Sequence, residues 1–349
     1  MERPVVLVSD AVLLDEVLHA AAVVGCEVER VADAPALRAR WHAAPVVVLD
    51  EASAGAAGEL PRRPGVHVVA TGPPGEATWR RAVALGAEQV LELPTGQAAL
   101  RAAFADALDG PSGDGRVLAV LGARGGAGAS VLAVAVGQAV LSSGGHGLLV
   151  DCDPLGGGLD LTLGAERQEG LRWPTLHLKG GRVPAAALRS ALPGRTGKRG
   201  SLTVLSCGRT GPGPEPAAVV AVVEAGRRAG GTVVCDVPRQ LTAAACAALD
   251  RADLAIMVVP ADVKACMAAQ PLVDQVTDRG VRLRAVVRGP SPGGLTSGEV
   301  AEAVDLPLLT SMRPARRLAA ALDQGRFPDT TRGPLAKAAR EVLAALNDH

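Results

Sequence analysis

The sequence predicts two α/β domains in series, each built on a doubly wound parallel sheet. Three observations carry that prediction. Short apolar runs alternate with amphipathic stretches along most of the 349 residues, the pattern that lays helices on both faces of a parallel sheet. A glycine-rich loop, 122–130, lies between a buried-strand pattern and a helical one. Between the two regions, DGPSGDG (109–115) concentrates Gly, Pro, Ser and Asp as a linker does. The expected boundaries are 1–108, a linker 109–115, and 116–349, and single cores seldom grow beyond roughly 250 residues.

Composition narrows the function classes. Lys plus Arg equals 36 and Asp plus Glu equals 36, which argues against a general polyanion binder. Three Trp, two Phe and no Tyr are too few for a base-stacking platform, so no specific nucleic-acid partner is expected. The 48% hydrophobic content supports large cores and excludes a mostly disordered chain. Only Lys179, Lys198, Lys264 and Lys337 are lysines, and Ile256 is the single isoleucine. That skew looks like GC-rich coding, so an Arg is not by itself a functional choice. The six cysteines never form CxxC and read as small buried hydrophobes in a reducing compartment. The start, MERPVVLVSD, enters a strand at once, and no run of 18 apolar residues occurs. A cytoplasmic protein without a targeting or membrane-spanning segment is expected.

In the first domain, runs 5–8, 46–49 and 66–70 read as buried strands, and 11–24, 34–43 and 76–85 as helices. Ligands of a parallel sheet bind at the carboxyl ends of its strands, where Asp10, Asp50 and Thr71 fall. Two carboxylates there can hold Mg2+ and accept a phosphoryl group, with a hydroxyl beside them. The segments VVLVSD, PVVVLD and AVALGAEQVLELP resemble the receiver domain of two-component response regulators. The resemblance implies a flavodoxin-like fold with Asp50 as phospho-acceptor beside Asp10 and Thr71. Two positions depart from it: Ser9-Asp10 stands for an acidic pair, and Leu93 for the Lys before the final Pro94. A pseudo-receiver serving as a docking module is the preferred expectation, with phosphorylation of Asp50 as the alternative.

In the second domain, 117–121 is a buried-strand pattern, and 131–141 is helical. Gly125, Gly126 and Gly128 let successive backbone N–H groups converge on phosphate oxygens at a helix N-terminus. The loop Arg124-Gly125-Gly126-Ala127-Gly128-Ala129-Ser130 resembles the deviant Walker A of the MinD/ParA ATPase family. Four further pieces follow in family order: GLLVDCDPLGGGLDLTLG (147–164), TVVCDVPR (232–239), LAIMVVPADVKA (254–265) and LPLLTSMRPARRLAAALDQG (306–325). The resemblance implies a P-loop NTPase-type fold, ATP and Mg2+ as ligands, and a homodimer. It assigns Ser130, Asp151 and Asp236 to the metal shell and Asp153 to positioning water. Three departures weaken the chemistry. Ala129 replaces the Lys that binds terminal phosphates, Arg124 replaces the signature Lys, and Arg288-Gly289-Pro290 replaces an adenine-reading Asn. Losing one charge-assisted contact costs about 1.5–3 kcal/mol, so weak nucleotide binding with slow or absent hydrolysis is expected. A vestigial loop kept for packing is the competing reading.

The remaining candidates are structural. His19, His42, His67, His146, His177 and His349 have no ligand spacing for zinc. The stretch GRTGKRG (194–200) reads as a hairpin or exposed loop. In 334–346, Leu335, Ala339, Val342 and Leu346 share a helix face, read as core-packing rather than as a peripheral membrane anchor. A receiver-like module ahead of a MinD-like one resembles the CpaE/TadZ-like proteins, and within them the septum-site-determining (Ssd) branch of actinobacteria. That resemblance implies a spatial regulator whose partners belong to the division machinery, or else an active ATPase that localises a pilus or secretion apparatus.

Overall fold

The computed structural model describes residues 3–109, 114–176, 183, 185–209, 211, 213–315, 318–328 and 332–348. Linker positions 110–113, His177, His349, Arg316 and Arg317 lie outside the described residues. By backbone proximity the chain forms two units, 1–112 with 179–186, and 113–178 with 187–349.

The first unit alternates strands β1 (Val5–Leu7), β2 (Glu29–Arg30), β3 (Val47–Asp50), β4 (Val66–Ala70) and β5 (Gln89–Glu92) with helices. These are α1 (Ala11–Val23), α2 (Ala34–Arg40), α3 (Glu51–Ala56), α4 (Glu76–Leu85) and α5 (Gln97–Asp109). The sheet is parallel with order β2-β1-β3-β4-β5, the flavodoxin-like order, whose switch point lies between β1 and β3. Alternate side chains of each strand face opposite ways. Val5, Leu7, Val47 and Leu49 join Leu37, Trp41 and Leu85 on one side of the sheet. Val6, Val8, Val46 and Val48 join Val17, Leu100 and Phe104 on the other. Both faces are covered, so the strands read as unbroken apolar runs.

The second unit holds β6 (Arg116–Gly122), β7 (His146–Asp151), β8 (Gly194–Thr196), β9 (Ser201–Leu205), β10 (Thr232–Val237), β11 (Leu254–Pro260), β12 (Leu283–Arg288) and β13 (Leu308–Met312). Its helices are α6 (Ala129–Ser142), α7 (Leu159–Leu163), α8 (Ala185–Ala191, which begins within 179–186), α9 (Pro216–Arg228), α10 (Ala243–Leu249), α11 (Val263–Thr277), α12 (Ser297–Ala303), α13 (Leu318–Asp323) and α14 (Pro334–Asn347). The strand order is β13-β12-β11-β6-β10-β7-β9-β8, parallel except that β8 runs against β9. That antiparallel pair is the hairpin read at 194–200.

Because β10 lies between β6 and β7, Asp236 pairs in register with Asp151, and the glycine loop opens beside both. Helix α6 crosses the sheet closely. A Cβ on Gly137 would meet Leu202 Cδ1 at 2.8 Å and Leu149 Cδ2 at 3.0 Å, so a larger residue there requires those leucines to shift. Leu335, Ala339, Val342 and Leu346 of α14 are buried in the same core as Leu132 and Val136 of α6. The apolar stripe of α14 is thus consumed by packing, as its sequence suggested. Among the described residues no helix is long and apolar enough to cross a membrane. The cysteines are free, and five of them are buried.

Candidate functional site

The glycine loop is shaped by backbone alone. Gly126 and Gly128 take left-handed conformations, with φ of 71° and 98°, which other residues adopt only under strain. Among the described residues, the N–H groups of Gly126, Gly128, Ala129 and Ser130 find no acceptor in the chain. Unpaired donors in and beside the first turn of a 14-residue helix suit an anion, since that end also carries the positive end of the helix dipole.

The acidic residues divide the work unequally. The Asp151 side chain is buried and accepts four hydrogen bonds. Oδ2 takes the Ser206 hydroxyl at 2.9 Å and the N–H groups of Leu159 and Cys207 at 3.1 Å each, while Oδ1 takes the Asp153 N–H at 3.1 Å. Its carbonyl accepts the Trp173 indole N–H at 2.7 Å. Burial raises the Asp151 pKa against the pull of these donors. Asp151 therefore works as the knot that ties the segment 153–159 to the loop after β9. Asp236 is different: burial first, then the charges of Asp151 and Asp153, push its pKa up to about 7, with the Ser130 hydroxyl pulling the other way. Ser130 and Asp236 could supply a hydroxyl and a carboxylate oxygen to a Mg2+ shell. Asp153 Oδ1 accepts the Leu155 N–H at 3.0 Å, an Asx turn that opens the glycine segment 156–158. Among the described residues no group of three metal-ligating side chains assembles.

Two guanidinium groups flank the cradle. Arg124, exposed at the loop tip, donates to Asp262 Oδ2 at 3.0 Å. Arg288, at the end of β12, places Nη1 3.2 Å from where a Cβ on Gly128 would sit. Sequence reasoning missed the buried ion cluster behind the site. Asp160 Oδ2 accepts from Arg172 Nε and Oδ1 from Arg209 Nη1, both at 3.1 Å. Burial would raise its pKa, but Arg172 and Arg209 bring it below the usual carboxylate range. The available signal was an Asp inside the apolar run Leu159–Leu163, which demands a counter-ion.

In the first unit Asp10 and Asp50 meet at the ends of β1 and β3, where the Asp10 N–H lies 3.1 Å from Asp50 Oδ2, and each carboxylate also caps a helix. Asp10 caps α1, its Oδ1 accepting from Val12 and Leu13 N–H at 2.8 and 2.9 Å. Asp50 caps α3, accepting from Ser53 N–H at 2.8 Å, Ser9 N–H at 2.5 Å and Asp10 N–H at 3.1 Å. Burial opposes the Asp50 charge, yet those donors and the Ser53 hydroxyl leave its pKa lowered. Thr71 is exposed. Leu93 is buried with Leu100 and Phe104, so the family's lysine position has become core. The expected result is that acetyl phosphate with Mg2+ leaves the intact mass unchanged; a stoichiometric phosphoryl adduct at Asp50 by mass spectrometry would contradict it.

The fold comparisons follow from this geometry. A family model described as Rv3660c-like, CheY-like N-terminal domain matches residues 7–115. Over 346 residues the chain is 46% identical to Uncharacterized protein Rv3660c of Mycobacterium tuberculosis (strain ATCC 25618 / H37Rv), covering 97% of both chains. A ParA family ATPase from Chlorobium tepidum TLS aligns with a TM-score of 0.54 at 15% identity, over 65% of this chain and 97% of that one. The MinC:MinD cell division protein complex of Aquifex aeolicus gives 0.53 at 20% identity, over 66% and 96%. The septum site-determining protein MinD complexed with Mg-ADP from Pyrococcus horikoshii OT3 gives 0.53 at 15%, over 67% and 96%. At such identities these likenesses show the fold, a MinD/ParA-like P-loop NTPase fold accompanied by a CheY-like N-terminal domain. With nearly its whole length matched at 46% identity, the chain belongs to the Rv3660c-like family.

Proposed function

We propose that this protein is a cytoplasmic spatial regulator of septum formation, a MinD/ParA-like module of weak nucleotide affinity that acts through protein contacts rather than turnover. Its functional halves are 1–108 and 116–349, with the first as a docking module for partners of the division machinery and the second as the dimerising one. The observation that carries the reading is the incomplete phosphate site. Free backbone donors and the Ser130–Asp236 pair are present, but Ala129 offers no cation, and the Asp151 carboxylate is committed to four internal donors.

In this site the N–H groups of Gly126, Gly128, Ala129 and Ser130 would hold phosphate oxygens, and the Ser130 hydroxyl and Asp236 carboxylate would hold Mg2+. The ion's contribution when bound is to neutralise phosphate charge. Asp153, fixed in its Asx turn, would orient water only after that turn opens. The alternative, a working ATPase that localises a pilus or secretion apparatus, needs a substitute cation for Ala129, and Arg124 delivered across a dimer is one candidate. Asp262 of the same chain already holds that side chain at 3.0 Å.

The test is Mg-ATP hydrolysis by the purified full chain. Phosphate release is expected to be no faster than that of Asp153→Ala. Turnover at the rate of an authentic MinD, lost in Asp153→Ala, would remove the proposal.

A further inference from the structure

Among the described residues Arg288 is a cation with no anion in contact with it. It closes β12 half-buried, and among the described residues its guanidinium has no hydrogen-bond or ion-pair partner. Burial lowers its pKa, Arg124 adds like-charge repulsion, and Asp262 opposes only in part. Removing a charge from water without a partner is unfavourable, so this arrangement favours an incoming anion. The place for one is adjacent: Arg288 Nη1 lies against Gly128, whose N–H is one of the unpaired donors of the cradle.

A second feature involves Val287 and Gly289, the chain neighbours of Arg288. The carboxyl ends of β11, β12 and β13 enclose a cleft of ≈ 590 Å³ lined by residues that include Val287, Gly289, Ser291, Ser311 and Met312. That volume is in the range of small-molecule sites. Its polar side chains are those of Ser291, Ser297, Ser311 and Arg313, with no carboxylate or carboxamide among them, so it lacks the amide group that pairs a donor with an acceptor on the adenine edge.

We propose that Arg288 takes the part of the missing lysine, gripping the terminal phosphates of a nucleoside polyphosphate, and that the site reads the polyphosphate rather than the base. This rests on the reading of the glycine loop as a phosphate site. The cation has moved from the helix, where Ala129 stands, to the neighbouring strand end, and the adenine reader was given up at the same position.

Calorimetric titration of the full chain with Mg-ATP, Mg-GTP and magnesium tripolyphosphate tests it. ATP and GTP are expected to bind within the same order of magnitude. Arg288→Ala should weaken all three probes by about 10- to 150-fold, Arg288→Lys should recover part of the loss, and adding Ala129→Lys to Arg288→Ala should restore binding. Unchanged binding in Arg288→Ala overturns the proposal, because the guanidinium would then touch no phosphate, and tighter binding overturns it because the guanidinium would then be a plug. A strong preference for ATP over GTP overturns it too. If the unaltered chain binds none of the probes but Ala129→Lys does, Arg288 fails while the phosphate loop stands. If neither binds, the phosphate-site reading itself falls.

Discussion

Asp151→Ala is expected to lower the melting temperature of the second unit by about 6–20 °C. The carboxylate it removes is buried and satisfies the Ser206 hydroxyl and three backbone N–H groups, those of Asp153, Leu159 and Cys207. Four neutral donors lose their acceptor, and each one left unsatisfied costs about 1–3 kcal/mol, so a loss of about 3–5 kcal/mol corresponds to two or three of them staying unpaired while water reaches the rest. For a unit of this size each kcal/mol shifts the midpoint by roughly 2–4 °C. The damage should be local first. Released from Asp151, the segment from Asp153 to Leu159 loses two of its anchors, and the loop after β9 loses two more. Hydrogen exchange should therefore quicken at Leu159 and Cys207 before the sheet opens. Asp151→Asn preserves one acceptor oxygen and should fall between the two. A midpoint for Asp151→Ala within about 2 °C of the unaltered chain would show that water replaces the carboxylate, and that Asp151 is not a structural knot.

The role of Asp151 marks the limit of what the sequence could show. Its position at the end of a strand was legible, because contiguous apolar runs such as 147–150 announce a strand buried on both faces. The glycine loop was legible for a related reason: its function is written in local backbone freedom at Gly126 and Gly128. Partners were not. Ser206 and Cys207 are 55 and 56 residues from Asp151, and Arg124 meets Asp262 across 138. Such pairs depend on strand order, in which β10 separates β6 from β7. Asp10 and Asp50 illustrate an ambiguity of another kind. An Asp between a strand and a helix suits a phospho-acceptor or an N-cap equally, and the bonds to Leu13 and Ser53 show a capping role that the sequence pattern alone does not. Strand β2, two residues long, and the short α3 carry no periodicity to detect.

Asp236 gives the chain a pH dependence whose sign can be worked out. In the unfolded chain the carboxyl titrates near 3.8, whereas in the fold it is pushed up to about 7 by burial, then by Asp151 and Asp153, with the Ser130 hydroxyl opposing. The folded state therefore holds this proton more tightly than the unfolded state. The stabilisation from that proton is complete below about pH 4 and is lost as pH rises through about 7. Across that interval the loss approaches about 4 kcal/mol as an upper value. Asp236→Asn cannot ionise and escapes this loss, while keeping an acceptor for Ser130. Its melting temperature relative to the unaltered chain should rise between about pH 4 and pH 7, and level off above about pH 8. Below pH 4 the difference should be small, or negative where the amide packs less well than the acid. Thermal melts across that range read the effect directly. A constant difference would mean that Asp236 is ionised throughout, with Ser130 and the open cradle solvating it well enough to cancel its burial.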